Sequence, residues 1–497
     1  MRSGAAHIIK PKPHLRRIRF FTPGFLTLVT GFTAFAQNGA PPSPEKPWSP
    51  PGMDQYAKQL TNQDLYESHG VTNAIDPAKV YDLPALIDIA ERSHPETRVA
   101  WERARQAARA IGLNQSAYYP YLAASAAAGY QHGPAPFLTD VVSGSAAQEN
   151  VALSLEWLLF DFGQRRAAVA AAREQSMMAN VGFNATHQRI VFAVTKSFYD
   201  FNTARQKVAV AESSLHAAQT VGDATQARFD NGLATKTDLL QAQQQTAQSE
   251  FVLESARGDL SDAQVALVDS LGILPSTQLQ IADVEEKPFA ENADDSLDTL
   301  IDRALAQRPD LIAKLASLRA AQATVKKARA DFYPKLSLEA STGWEKLDIN
   351  AYDSPYVGNS KPTYSVGMAI QLPIFDGFLR ANRLHIAKSE MRAAESELAD
   401  SRDQVVREVW KARTDLKTAV QKQVFAAKFL DAAQSAFDAT LESYKQGLAT
   451  YISVANAQQN LDSARSVVVT TRAAIFTSAA ALALSVGDLA KPDPHQP

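Results

Sequence analysis

Two stretches of this chain read nearly alike. Residues 227–245 and 442–460 share the tetrapeptide Gly-Leu-Ala-Thr, as Gly232, Leu233, Ala234 and Thr235 and again as Gly447, Leu448, Ala449 and Thr450. Other landmarks repeat with them. Leu86-Ile-Asp-Ile-Ala90 and Pro95 return as Leu300-Ile-Asp-Arg-Ala304 and Pro309, and Tyr119-Pro120 as Tyr333-Pro334, each 214 residues on. Phe160-Asp161 returns as Phe375-Asp376, 215 residues on, the same offset as the two tetrapeptides. A duplication held in register to within one residue requires two copies of one architecture. The copies span residues 81–275 and 297–488, with 276–296, rich in Pro and acid, as their connection.

Each copy contains a helix hairpin. Gly232 and Gly447 close a long helical pattern as left-handed C′ glycines do, and Thr235 and Thr450 then cap the next helix. No proline falls between Gly163 and Asp230, so a continuous helix there approaches ~100 Å. Such a helix needs neighbours. Ile190, Val194, Phe198, Phe201, Ala204, Val208, Ala211 and Leu215 supply one seam, and Val405, Val409, Leu416, Val420 and Val424 the other. Earlier in each copy, Pro95 and Pro309 should stand in the first turn of a helix that follows a shorter one.

Between these helices the period changes to strict alternation. Val151, Leu153, Leu155, Trp157 and Leu159 alternate with Asn150, Ala152, Ser154 and Glu156, and Val366, Met368, Ile370, Leu372 and Ile374 alternate with small or polar residues. Strands are expected at about 121–131, 150–160, 335–344 and 364–375, joined by long loops over 131–149 and 345–363. Two destinies fit: a small soluble sheet packed on the helices, or a membrane sheet whose lipid face carries Val151, Leu153, Leu155, Trp157, Val366, Met368, Ile370 and Leu372. Four strands cannot close a membrane barrel, which needs about eight, so the second reading requires several copies in a ring. The fold expected is mainly α with a small β part.

The N-terminus carries Lys10, Lys12, Arg16, Arg17 and Arg19, an apolar run and Ala34-Phe35-Ala36, which reads as a cleaved secretory signal over residues 1–36. An uncleaved anchor is the weaker alternative, because Pro23 and Gly24 interrupt a run too short to span a bilayer. A Pro-rich arm, 37–80, follows, and a tail, 489–497, ends the chain. There is no Cys, so disulfides, thiolate metal sites and a Cys lipid anchor are excluded. The nine His are scattered without metal-ligand spacing, and no catalytic triad or Gly-rich phosphate loop is evident. We therefore expect no enzyme, metal or cofactor, and the formal charge of −3 gives no reason to expect nucleic acid as a partner.

Taken in order and twice over, the short helix before Pro95 and Pro309, the Tyr-Pro entries, the Phe-Asp exits and the Gly-Leu-Ala-Thr tips resemble the TolC family of outer-membrane efflux channels. Leu372-Pro-Ile-Phe-Asp-Gly377 is close to that family's strand-to-helix motif, whereas Leu158-Leu-Phe-Asp-Phe-Gly163 lacks the Pro and displaces the Gly. The resemblance implies a homotrimer with a twelve-stranded barrel in outer-membrane lipid and a periplasmic helical tunnel. It implies an adaptor protein docked at the tips (Gly232 to Thr235, Gly447 to Thr450), an inner-membrane pump behind it, and strand-helix turns at Phe160, Asp161, Phe375, Asp376 and Gly377. The aperture would involve Asp238, Gln241, Tyr444, Ser453 and Asn456, although Ser453 and Asn456 stand where family members carry pore-facing acids. Asp238 has a second reading as the N3 partner of Thr235 in a capping box. The competing function is a periplasmic coiled-coil scaffold without a pore.

Overall fold

The computed structural model describes residues 53–60, 75–137, 140–274, 277–283, 296–351 and 357–489. The signal segment, most of the Pro-rich arm and the tail beyond 489 lie outside the described residues. Residues Met1–Gly70 form one unit, in which a single helix, α1 (Met53–Leu60), is described. The second unit begins at Val71 and contains both repeats.

The repeats have the same element order. The first runs β1 (Val80–Tyr81), α2 (Leu83–Ser93), α3 (Pro95–Gln115), β2 (Tyr121–Phe137), β3 (Asp140–Phe160), α4 (Gln164–Asp230) and α5 (Lys236–Ser270). The second runs β4 (Gln280–Ile281), α6 (Leu297–Gln307), α7 (Pro309–Ala330), β5 (Lys335–Ala351), β6 (Val357–Gln371), α8 (Leu379–Lys445) and α9 (Tyr451–Val486). Pro95 and Pro309 are the first residues of α3 and α7, where a missing N–H costs nothing. Both α4 and α8 contain 67 residues, about 100 Å of helix.

The helices form one layer. Below the sheet α3 and α7 flank α4, with α8 beyond α7; toward the tips the order is α5, α4, α9, α8. Ile190, Val194, Phe198 and Phe201 of α4 are buried against Leu86 and Ala90 of α2 and Leu267, Val268 and Leu271 at the end of α5. In the second repeat Val405 and Val409 pack on Leu300, Ala304 and Val486. Val424, expected in this seam, is instead 52% exposed. Its neighbour Ala426 is the buried residue, because the seam steps by three and four through Ala412, Leu416, Ala419, Ala426 and Ala433. By length and composition α9 is apolar enough to cross a membrane. It lies within the helix layer, where Ile475 packs on Leu416 and Ala419.

A feature invisible in the sequence joins the repeats at their starts. Val80 and Tyr81 pair in parallel with Gln280 and Ile281, and Arg205 of α4 donates to the carbonyls of Ile281 (3.1 Å) and Ala282 (3.3 Å). Two-residue strands carry no periodicity to detect.

The main sheet is antiparallel, in the order β2-β3-β5-β6. Its strands exceed expectation: β2 and β3 stay paired from Tyr121↔Glu156 to Phe137↔Asp140, and β5 and β6 from Lys335↔Gln371 to Ile349↔Val357. Most of what read as long loops is therefore strand. The misreading came from Pro134, Pro136 and Pro362, which fall on β2 and β6, the two edge strands, where a missing donor breaks no ladder. His132, placed by sequence in a loop, lies within β2 and meets the Ser145 hydroxyl at 3.3 Å. At the other end β6 stops at Gln371, so Leu372 and the apolar Ile374 fall outside it. Pro373 follows immediately and cannot continue the ladder.

Candidate functional site

Register gives the sheet two unlike faces. Leu155 sits between Leu122 of β2 and Ala340 of β5, Ala340 is opposite Val366, and Leu338 lies between Trp157 and Met368. Val151, Leu153 and Ile370 share that face, which is apolar across all four strands and exposed. The opposite face carries Ser154, Glu156, Glu339, Ser341, Ser365 and Gln371. Polar contacts run along it, including Gln148 to Glu345 at 3.0 Å and Ser341 to Ser365 at 2.8 Å. Leu372 is exposed beyond the last ladder pair.

The strand-to-helix turns resolve the displaced glycine. In the first copy Phe162 (φ +52°) and Gly163 (φ +89°) are both left-handed, and in the second Gly377 (φ +63°) and Phe378 (φ +67°) are. Two consecutive left-handed residues thus follow the aspartate in each copy, and Gly and Phe merely exchange places. A left-handed Phe is strained, and local contacts hold it. Phe162 stacks on Tyr333 at 5.0 Å between centroids, and Phe378 meets Phe375 edge-on at 5.7 Å. Asp161 accepts from the Arg165 backbone N–H at 2.7 Å and from its Nε at 3.0 Å; Asp376 does the same with Arg380 at 3.2 and 2.6 Å. Arg165 and Arg380 were missed by sequence reading, though an Arg four residues after an Asp at a helix start is a usable signal. Arg165 also donates to the carbonyls of Leu158, Leu159 and Ala117, locking the end of β3 to the end of α3.

At the tips both glycines are left-handed, Gly232 at φ +71° and Gly447 at φ +84°. Thr235 and Thr450 cap α5 and α9 by accepting from the N–H of Asp238 and Ser453. Asp238 closes the capping box, its Oδ2 accepting from the Thr235 N–H at 3.0 Å and hydroxyl at 2.8 Å. Leu233 and Leu448 project 66% and 80% exposed from the ends of the hairpins. Gln241, Ser453 and Asn456 are exposed on the first two turns of α5 and α9, and Ala234 and Ala449 are half-buried.

Tyr444 stands apart from those residues. It is 2% exposed, and its hydroxyl lies 2.9 Å from that of the buried Thr225 on α4. Within the chain it therefore joins the two hairpins and does not face open space. Arg228 completes the joint. Its Nη1 donates to the Tyr444 carbonyl at 2.6 Å, its Nη2 to the Leu233 carbonyl at 3.2 Å, and its guanidinium lies 4.8 Å from the Tyr444 ring centroid. Val221, Phe437, Tyr451, Val454 and Leu461 form the apolar cluster behind it. Burial, with Tyr444 and Asp238 nearby, pushes the Tyr451 phenol above its ordinary pKa and keeps it neutral. Arg228 carried no motif; its role depends on the hairpins meeting.

Further up this seam Ser214 of α4 donates to Asp462 of α9 at 2.5 Å, and Gln458 donates to the Ser214 carbonyl at 3.3 Å. Burial raises the Asp462 pKa against the opposing pull of Ser214 and Arg465. Among the described residues no group of His, Asp or Glu is arranged to hold a metal ion.

An open sheet with one apolar face, set on helices about 100 Å long, defines a class of outer-membrane channel chain. The chain belongs to the outer membrane efflux protein family, whose model matches residues 86–273 and 300–488, once per repeat. It is accordingly an outer-membrane protein. Protein CyaE of Bordetella pertussis is 29% identical over 407 residues, covering 82% of this chain and 84% of that one. Outer membrane efflux protein BepC of Brucella suis is 26% identical over 377 residues, 76% of this chain and 79% of its own. Among solved structures, the outer-membrane channel OprN superposes with a TM-score of 0.73 at 20% identity, covering 83% of this chain and 93% of that one. VceC of Vibrio cholerae gives 0.71 at 22% identity, covering 82% and 96%. These structural likenesses establish the fold.

Proposed function

We propose that the chain is one protomer of a homotrimeric, passive exit duct, docked at its tips to a periplasmic adaptor and, through it, to an inner-membrane pump. One observation carries this reading: a four-stranded sheet, apolar on one face, whose edge strands β2 and β6 have no partner on their outer sides among the described residues. Exposed edges of this length in lipid leave backbone donors and acceptors unpaired, and a closed ring of copies removes them. The apolar face, including Val151, Leu153, Leu155, Trp157, Val366, Met368 and Ile370, then meets outer-membrane lipid, and the polar face lines a wet lumen. Leu233 and Leu448 supply apolar contacts for the adaptor, and Gln241, Ser453 and Asn456 line the tip opening.

The cargo is small toxic compounds, selected by the pump, since a lumen lined by Ser, Gln and Ala discriminates little. Relatives named for pyoverdine export, cation efflux and alkaline protease secretion show how widely cargo varies on related chains. The duct reading is tested by outer-membrane fractionation, gel mobility with and without heating, and planar-bilayer conductance. A heat-modifiable trimer with discrete conductance steps is expected; a monomer that conducts nothing would leave the coiled-coil scaffold as the better reading.

A further inference from the structure

The aromatic residues at the foot of the sheet show which side of the helices is continuous with its apolar face. Phe160 pairs with Leu336, and Leu336 with Ile370, on that face. Phe162 meets Phe160 at 4.7 Å and stacks on Tyr333 at 5.0 Å between centroids, so Tyr333 belongs to the same side. Four, seven and fourteen residues before Tyr333, one face of α7 carries Arg329, Lys326 and Arg319, all exposed. The opposite side of α7 carries Ala313, Ser317, Ala320 and Thr324. Leu315, at the lower end of the charged face, shares a groove with Glu395 and Ala399 of α8, and Lys388 and Arg392 stand two turns above those two on the same side.

These five cations lack counter-charges. None makes an ion pair among the described residues, and the carboxylates of nearby stretches are engaged elsewhere: Asp331 by Gln164 and Lys335, Asp376 by Arg380, and Glu397 by Lys314. Glu395, at the top of the groove, is the one acid on this side of α7 and α8 between the groove and the sheet, among the described residues. Nor does the fold demand the charges. The first repeat builds the same helices with Arg105, Gly112, Gln115, Arg173 and Met177 at the equivalent positions, 214 or 215 residues earlier, and there Arg105 is paired with Glu102. The α7 dipole explains a cation only in the last turn, which holds Arg329 but not Arg319. Height explains the set better. Arg329 and Lys326 lie about 6 and 10 Å below Tyr333, and Arg319 about 21 Å. Lys314 donates to Glu397 at 2.8 Å, which sets Arg392 level with Arg319 and Lys388 one turn higher. A tyrosine at the foot of a lipid-facing sheet sits at headgroup level, and the headgroup layer is about 5–8 Å deep. Arg329 and Lys326 therefore stand at that layer, and the other three within roughly one to two Debye lengths of it. Side chains on α8 lean toward its N-terminus, so Lys388 and Arg392 reach up toward the sheet.

We propose that this face of the second repeat, formed by Arg319, Lys326, Arg329, Lys388 and Arg392, docks the anionic phospholipid headgroups of the outer membrane's periplasmic leaflet. Charge complementarity and continuity with the apolar face of the sheet select that partner, since a phosphate-bearing surface lies where uncompensated cations meet interfacial aromatics. The proposal rests on the lipid-facing reading of the sheet and adds the class of lipid gathered at its foot. Because the first repeat lacks most of these charges, the attraction is concentrated on one side of each copy. It fixes the depth at which the helices leave the bilayer.

The test uses the protein purified from outer membranes in a neutral detergent, titrated with phosphatidylglycerol and separately with phosphatidylethanolamine, with bound lipid counted by native mass spectrometry. Each cation near an anionic surface contributes a factor of about five, so phosphatidylglycerol is expected to bind at least about tenfold more tightly. Changing all five residues to Gln is expected to abolish the preference while gel mobility and bilayer conductance stay unchanged. Lys327→Gln with Arg383→Gln, two cations off this face, is expected to keep it. Equal binding of the two lipids by the wild type, or a preference that survives in the five-Gln variant, would overturn the site and leave the lipid-facing sheet standing. Sedimentation with peptidoglycan sacculi that is lost in the five-Gln variant, without any lipid preference in the wild type, would also overturn it and assign the face to an anionic glycan. A wild-type protein that fails to insert into lipid vesicles would remove the lipid-facing reading itself.

Discussion

Arg228→Met tests whether the two hairpins of one protomer are clasped at their tips. The substitution keeps the aliphatic stem and removes the fork that donates to Tyr444 at 2.6 Å and Leu233 at 3.2 Å. A hydrogen bond from a charged donor contributes about 1.5–3 kcal/mol; the longer one, to a carbonyl near solvent, belongs at the low end. The stack on Tyr444 adds ~0.5–1 kcal/mol. Against this, Nε of Arg228 is buried without a partner, which offsets about 1 kcal/mol. The remainder is about 3 kcal/mol, roughly a 100-fold change in the local opening equilibrium. Amide hydrogen exchange reads it directly. Peptides covering residues 225–238 and 441–454 should exchange roughly 100-fold faster, with those covering β3 and β5 unchanged. Arg228→Lys should fall between, since it keeps the charge without the planar fork. Unchanged protection at both tips in Arg228→Met would show that the apolar cluster of Val221, Phe437, Tyr451 and Leu461 holds the hairpins alone.

In the sheet, Leu155→Arg or Ile370→Arg should reduce the yield of assembled protein in outer membranes, at a cost of ~2–4 kcal/mol for a cation on a lipid-facing strand; Ser154→Arg and Gln371→Arg should not, and equal tolerance at all four would refute the assignment of faces. At the tips, Leu233→Asp or Leu448→Asp should leave oligomer mobility intact and abolish export, so normal export by both would reduce the tips to structural turns. Installing Asp at both Ser453 and Asn456 should raise cation selectivity in planar bilayers, because the three-fold symmetry proposed above would convert each into a ring of close charges; unaltered selectivity would place the constriction elsewhere. Asp462 has a folded pKa above its unfolded value, so its favourable contribution is complete below the ordinary carboxylate pKa and is lost as pH rises through the raised one. The protection of α9 amides near Asp462 should therefore weaken as pH rises above the ordinary carboxylate range, and Asp462→Asn should flatten that dependence; an unchanged slope would show that Asp462 does not titrate there.

The duplicated landmarks, the tip glycines and the Thr caps were legible in the sequence because each depends on a few neighbouring residues. A left-handed Gly232 and a Thr235 side chain that accepts from Asp238 are local solutions to the end of one helix and the start of the next. The faces of β3 and β6 were legible for a similar reason, since a period of two places Leu155 and Ile370 whatever lies beside them. Strand length was not, because Pro134, Pro136 and Pro362 read as loop until their strands are known to be edges. Nor was the exchange of Gly and Phe after Asp161 and Asp376, where the backbone fixes two left-handed positions and leaves open which one takes the glycine. What tertiary structure alone decided is how the hairpins meet. Tyr444 lies 219 positions from Thr225 and 216 from Arg228, and no local pattern encodes that meeting. Only the packing of α9 on α4 brings a phenol, a hydroxyl and a guanidinium together, turning a residue expected at an opening into the buried pin of the joint.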